Sequence, residues 1–256
     1  MLLRRMIAHV RDQNWTAIFL DFVIVVAGVF LGIQLGAWND ARIEGRRQAD
    51  YLRELRQEVA VNNGIIEARA TYSAQVVAAA AETLAWLDGD GDCADACEAV
   101  VIDAFHASQA WGSDISDVVA AEMRRQGLPR SPGLKRMTQT YYFYSEGLDR
   151  SLENAAAYRE RVRRRTPLSV MQALWRACFF IDKARIETII EDCDPGLDAG
   201  EAARVARAYF DEPGLGDDLR YWAGQNDLWI DVFRTQVTIG ETLIAMIDEE
   251  LGERRH

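Results

Sequence analysis

The chain has three histidines, five prolines and four cysteines among its 256 residues, and only one apolar run long enough to enter a bilayer. The histidines are His9, His106 and His256. Two of them sit close to the ends of the chain. That leaves His106 alone for acid–base work inside a fold, and a lone helical histidine is ordinarily a packed or surface residue. There is no GxSxG elbow, no phosphate-binding glycine loop and no HExxH pair, so hydrolase, nucleotide and zinc-peptidase chemistry have no anchor here. Asp182, Glu187 and Glu191 are expected on one helix as a solvated face rather than as an acid–base pair. The expectation is a protein with no catalytic residue, no cofactor and no metal. A basic excess is missing too: 29 basic side chains face 40 acidic ones, for a net charge of −11. Residues 39–256 carry 26 against 38, or −12, a field that repels nucleic acid and anionic headgroups, so no nucleic-acid partner is expected.

The single apolar run is residues 22–36, FVIVVAGVFLGIQLG, flanked by Trp15 and Trp38. From one tryptophan to the other is 24 residues, enough to cross ~30 Å of hydrocarbon at ~1.5 Å per residue. Trp15 and Trp38 suit the headgroup boundary as anchors. A cleaved signal peptide fits less well. The apolar core is long, fourteen residues precede Trp15, and Leu35-Gly36-Ala37 is a poor cleavage site. On a helical wheel, Gly28, Gly32 and Gly36 lie at about −20°, +20° and +60° from Asp21. Ala17 and Val25 share that side and Gln34 points nearly opposite. Glycine lets helix backbones approach closely, and a carboxylate inside a span usually faces protein or water. Asp21, Val25, Gly28, Gly32 and Gly36 therefore read as a helix–helix interface, with a second copy or with another membrane protein. The plainer alternative is that Asp21 snorkels to the boundary.

Orientation is contested within the sequence. Arg4, Arg5 and Arg11 precede the span, while Arg42, Arg46, Arg47, Arg53 and Arg56 follow it, so the basic count favours retaining the following domain inside. Against this, large domains translocate largely regardless of charge. The cysteines add a third consideration. Cys93, Cys97, Cys178 and Cys193 are even in number with no histidine at ligand spacing, which fits two disulfides in an oxidising compartment. Of three possible pairings the most local joins Cys93 to Cys97 and Cys178 to Cys193. The second bridge would close a 16-residue loop, worth ~3 kcal/mol on a chain-entropy argument. Cys93 and Cys97 would have to lie off a regular helix. Four buried thiols in a cytosolic domain are the alternative. Cys93, Cys97 and His106 supply three zinc-ligand types, but no fourth ligand is apparent. The expected location is a bacterial inner membrane, with the N-terminus cytoplasmic and residues 39–256 periplasmic.

The rest of the chain is patterned for helices: an all-α fold, with the transmembrane helix continuing into a long stalk helix and an extramembrane multi-helix bundle. The expected divisions are a tail at 1–14, the span at 15–38, a stalk at 39–92 and a bundle at 93–256. Tyr51, Leu52, Leu55, Val59, Asn62 and Ile66 recur at helical spacing, with a bend expected at Asn62-Asn63-Gly64. Asp88-Gly-Asp-Gly-Asp-Cys reads as an acidic turn. It is similar to the start of a calcium loop, but Cys93 and Ala99 stand where glycine and glutamate are needed. Further helices are expected over 97–109, over 114–126 (Ser113 or Asp114 as cap, Gly127 as stop), over 134–164, and from Thr166-Pro167 to about Glu191. The 134–164 helix would present Leu134, Met137, Tyr141, Tyr144, Leu148 and Leu152 on one face. Asp198 should cap a helix over 199–210. After Pro213-Gly214 a long terminal helix presents Leu219, Trp222, Leu228, Val232, Val237, Leu243 and Met246. No segment shows sustained two-residue alternation.

The block Trp15-Thr-Ala-Ile, Asp21, Gly28-Val-Phe-Leu-Gly32-Ile-Gln34, Trp38-Asn39-Asp40 resembles the WxAIxxDxxIVVxGVFxGIQxxxWN-type opening of a family of uncharacterised bacterial single-span membrane proteins. A second block is similar to that family's acidic helix followed by a leucine-basic helix with paired tyrosines. It runs from Asp117 to Gly127, then Leu134-Lys-Arg-Met and Tyr141-Tyr142. Gln126-Gly127 stands where the family has Ser-Gly, and Pro129 and Pro132 depart from its pattern. Together the blocks cover about a quarter of the chain. The resemblance implies a membrane location and a helical domain, and no activity. The expected function is a membrane-anchored interaction or scaffold protein. The alternative is a ligand-binding or sensor module that relays through a membrane partner, its cleft lined by Tyr141, Tyr142, Phe143, Tyr144, Trp175, Phe179 and Phe180.

Overall fold

A computed structural model describes residues 15–112, 115–152, 157–183 and 186–253. The tail at 1–14, the Ser113 or Asp114 cap, His256 and the side chains of Ala17, Leu148 and Leu152 lie outside the described residues. The chain divides into two compact units, Met1–Tyr51 and Leu52–His256.

Helix α1 spans Trp15–Leu87. In the first unit its apolar side chains are exposed, among them Phe22, Ile24, Phe30, Leu31, Ile33 and Leu35. By length and composition α1 can cross a membrane, and none of its most apolar window is buried. In the second unit α1 is core: Leu52, Leu55, Val59 and Ile66 are fully buried. Residues 52–87 of the segment expected as a stalk thus belong to the second unit's interior.

The expected bend at Asn62-Asn63-Gly64 is absent, because both amides are committed sideways. Asn62 accepts from the Ser116 N–H (3.0 Å) and donates to the Ser116 carbonyl (2.7 Å). Asn63 Oδ1 accepts from the Tyr141 hydroxyl at 2.9 Å. A polar side chain with a tertiary partner no longer competes with its own helix backbone.

After α1 the acidic turn closes on itself, with Asp90 and Asp92 accepting backbone N–H groups two residues on. Cys93 lies before a single 3-10 turn, Ala94–Ala96, and is bridged to Cys97 at the start of α2 (Cys97–Ala107), off the regular helix as its spacing requires. Helix α3 (Val118–Arg125) stops at Gln126 and Gly127, whose φ of +74° suits glycine. Its Asp117 makes no side-chain cap. Glu58 of α1 supplies it instead, accepting from Val119 N (3.0 Å), Ala120 N (3.3 Å), Ser116 Oγ (2.8 Å) and Tyr142 Oη (2.8 Å). Helices α4 (Pro132–Leu152) and α5 (Ala157–Arg165) cover most of the expected 134–164 segment.

Helix α6 (Leu168–Ala177) ends well short of Glu191, a correction to the expected helix. Strands β1 (Phe179–Ile181) and β2 (Glu187–Ile189) follow as an antiparallel hairpin, with Phe179 opposite Ile189. Asp182 and Glu187 therefore do not share a helix face with Glu191. Aromatic and β-branched residues suit the pleat, and the Cys178–Cys193 disulfide ties the two ends together. Helix α7 (Ala199–Phe210) is capped by Asp198, which accepts from the N–H groups of Gly200 and Glu201. Helix α8 (Leu215–Glu253) completes the chain. On it Leu219, Trp222 and Leu243 are buried, as is the neighbouring Trp229, while Leu228 is exposed. Helix α4 packs on α8 and α2 on α7, while α5 touches α2, α7 and α8. Among the described residues there are eight α-helices and the one hairpin, so the class is all-α.

Gly240 marks the tightest crossing. A Cβ there would lie 2.3 Å from Asn63 Oδ1 and 2.8 Å from Tyr141 Cε2. Gly240→Ala is expected to lower unfolding stability by about 1–3 kcal/mol, in the range of overpacked cores. Urea titration of the alanine variant measures this; a midpoint equal to wild type would show that the crossing yields freely.

Candidate functional site at the buried end of helix α2

Helix α2 terminates inside the second unit. Ala104, Ala107 and Ser108 are fully buried, and Gln109 nearly so. A helix end leaves carbonyls without intrahelical partners, and burial makes that costly. Side chains from two other helices donate to carbonyls at this end. Tyr158 Oη of α5 donates to the Ala104 carbonyl (3.2 Å), Trp222 Nε1 of α8 to Ala107 (2.9 Å), and Arg159 Nη1 of α5 to Ser108 (2.8 Å).

Helix α5 reads AYRERVRRR, five arginines with one glutamate, and its arginines fall into two sets. Arg161 pairs with Asp218 and Glu212, Arg165 with Glu212, and Arg164 with Glu160. Arg159 and Arg163, four residues apart on one face, have no carboxylate within salt-bridge distance among the described residues. Instead the Arg163 guanidinium lies 4.8 Å from the Trp175 ring centre and 5.7 Å from that of Phe105. Its Nη2 donates to Gln109 Oε1 at 3.2 Å. Arg163 Nε and Gln109 Nε2 are buried donors with no acceptor.

Trp175 in turn packs edge-on to Phe105 and Phe179, at 5.1 and 4.7 Å between centroids. Tyr72 of α1 donates to Glu187 of β2 at 3.4 Å, and its ring stands against Trp111. Both arginines are half-buried. Burial pushes the Arg159 guanidinium down, and burial together with the neighbouring Arg159 brings Arg163 down to about 10. Burial and Glu187 raise the Tyr72 hydroxyl. Like charges four residues apart on a helix repel by about 0.2–0.5 kcal/mol. A buried guanidinium over an aromatic face recovers about 2 kcal/mol, and the negative end of α2 adds about 0.3–1 kcal/mol.

His106 lies at the same junction, buried, with Nε2 4.0 Å from Cys193 Sγ. The nearest ligating atoms of His106, Cys178 and Cys193 fall within 4.8 Å of one another, so the histidine adjoins the second cysteine pair rather than Cys93 and Cys97. Cys178 and Cys193 are bonded to each other, and thiolate, not disulfide sulfur, is the metal ligand. Burial drives the His106 imidazole down to about 4, opposed by its bond to the Cys178 backbone and the field of Glu191.

Of the sequence-proposed cleft residues, Tyr141 and Tyr142 are buried against α1, Phe143 and Phe180 are exposed, and only Trp175 and Phe179 line this junction. These aromatics, offered for a cleft only in the alternative reading and otherwise read as bundle core, divide between separate settings. Arg159, Arg163, Gln109 and Tyr72 were not singled out from sequence; the concentration of arginines over 159–165 is a signal that could have found the first two, and nothing local marks Gln109 or Tyr72. In the first unit, Gly28, Gly32 and Gly36 have open space where a Cβ would stand. Val25 is exposed and Asp21 half-buried. Trp15 and Trp38 are exposed, with the Arg42 guanidinium 5.8 Å from the Trp38 ring centre. Compared with models of known families, with curated proteins and with solved structures, the chain matches none.

His106 sets a pH dependence. An unfolded chain takes up its proton near pH 6.5 and the folded one only near 4, so stability present above pH 6.5 is lost as the pH falls through that window. Asp103 acts oppositely: burial, then Glu82, raise its carboxyl from 3.8 to about 6, adding stability as the pH drops. His106→Gln removes only the first contribution. Between pH 7 and 4 the wild type should lose up to ~3 kcal/mol more than this variant in urea unfolding with disulfides intact. Parallel pH profiles would refute the assignment.

Proposed function

We propose that the protein is a membrane-anchored helical interaction or scaffold protein of the bacterial envelope, tethered by residues 15–38 and associating through the face of Asp21, Val25, Gly28, Gly32 and Gly36. Its partner is a second copy or another membrane protein, and the lipid bilayer covers the rest of the helix. The observation that carries this reading is the exposure of the apolar side chains of α1 in the first unit. Apolar area of that extent is stable in lipid rather than water. The open space beside three glycines at four-residue spacing is what close backbone packing of two spans requires.

Within this proposal the N-terminus is cytoplasmic and residues 39–256 are periplasmic. The two disulfides support that side, since such bonds persist in oxidising compartments. The resemblance of the N-terminal block to bacterial single-span proteins agrees with the membrane anchor. No reaction is assigned to the protein.

The association is tested with two differently tagged copies co-expressed and solubilised gently. If self-association holds, Gly32→Leu should reduce their co-purification several-fold while leaving each copy in the membrane fraction. Co-purification unaffected by leucine would remove the glycine face as the contact. Membrane capture that loses a different protein in the leucine variant would identify a heterologous partner.

A further inference from the structure

Arginine pairs elsewhere on α5 show what this chain does with exposed positive charge: Arg161, Arg164 and Arg165 each have a carboxylate. Arg159 and Arg163 are treated differently. They occupy one face of the helix, half-buried, and Arg163 stands over an aromatic floor of Trp175 and Phe105. Their bonds go to neutral oxygens, the Ser108 carbonyl and Gln109 Oε1. Two further donors at the same place, Arg163 Nε and Gln109 Nε2, are buried and have no acceptor. Glu187 acts on Arg159 through its field, but in a chain with a net charge of −11 neither guanidinium has a carboxylate within salt-bridge distance among the described residues, and idle buried donors stand beside them.

We infer that Arg159, Arg163 and Gln109 form a recognition site for the oxyanion of a small ligand, a phosphate or carboxylate group, at the buried end of α2. The chemistry fits. A guanidinium presents a planar fork of donors that matches either group, and it is less strongly hydrated than an ammonium, which suits a half-buried site. Trp175 and Phe179 offer ring surface beside the charges for the body of a carboxylate ligand. The lowered proton affinity of Arg163, caused by burial and by Arg159, accords with positive charge that is not fully compensated. Tyr72 and Glu187 close the other side and disfavour a second negative group there. The site lies within Leu52–His256 and is independent of how the apolar helix associates.

The test is thermal melting of the full chain in detergent at pH 7.5, with sodium phosphate or sodium benzoate titrated against sodium chloride of matched ionic strength. The expected result is a saturable rise in midpoint of several degrees with one or both oxyanions and none with chloride. A rise with phosphate alone assigns a phosphoryl group, and a rise with benzoate alone a carboxylate. Arg159→Gln and Arg163→Gln should abolish the rise, and Arg164→Gln, whose arginine pairs with Glu160 in solvent, should retain it. Where a glutamine variant does not fold, Arg163→Lys keeps the charge and loses the fork, and should weaken the apparent affinity roughly tenfold. A wild type that responds equally to chloride, or to nothing, overturns the site and leaves the arginines as structural caps. An oxyanion response undiminished in every folded Arg159 and Arg163 variant overturns it as well.

Discussion

Ending a helix inside a protein strands its last carbonyls away from water, and the placement of α5 and α8 around Ala104–Ser108 answers that need. Tyr158, Arg159 and Trp222 each bring one N–H or O–H to a carbonyl of α2. These donors reach their acceptors only if α5 and α8 both converge on the same end. The aromatic floor of Phe105, Trp175 and Phe179 follows from this convergence. So does the position of the hairpin, since β1 begins directly after Cys178, beside His106 and Trp175. An unpaired buried carbonyl costs more than a paired one gains, so the constraint acts mainly by excluding other packings.

The start of helix α3 is also capped from another helix. Helix α3 begins without a cap from its own sequence, and Glu58 on α1 accepts two of its free N–H groups together with the hydroxyls of Ser116 and Tyr142. Asn62 and Asn63 continue that polar edge one turn on, reaching Ser116 and Tyr141. Helix α1 thus serves the second unit as a spine carrying apolar positions on one face and tertiary hydrogen bonds along its border. Gly240 on α8 completes the arrangement by leaving room for Asn63 and Tyr141 at their closest approach. The junction at α2 differs in one respect. Its two half-buried arginines bond to neutral oxygens rather than to carboxylates, and this is the feature on which the proposed anion site rests.

Much of the architecture was legible in the residues. Helical spacing of Leu52, Leu55, Val59 and Ile66 marked a helix there. Asp198 marked a helix start, Gly127 a helix end, and the local cysteine pairing appears as expected. The misses have a common cause. Asn62-Asn63-Gly64 carries a local turn signal, and tertiary partners for the two amides overrule it. Residues 179–189 follow a helical segment without a proline or glycine to stop it, yet pairing and a covalent tie make them a hairpin. Leu228 is apolar yet exposed while Trp229 beside it is buried, because the face of α8 that meets the core is set by its neighbours. At the candidate site the arginine-rich stretch was visible, but not which of its members would lack a carboxylate.

By itself the sequence determined the helical class, the long apolar segment beside Trp15 and Trp38, the one-sided glycine and Asp21 face, and the acidic balance of the rest. Each depends on period, length or charge count, which are properties of neighbours along the chain. Only the tertiary structure decided that residues 52–87 are core, that Glu58 caps α3, that His106 meets the Cys178–Cys193 pair, and that Arg159 and Arg163 share a half-buried face with Gln109. Those outcomes depend on which groups meet across long separations. The physical reason is desolvation: a polar group's partner matters only once packing has removed its water, and no local pattern records where that happens.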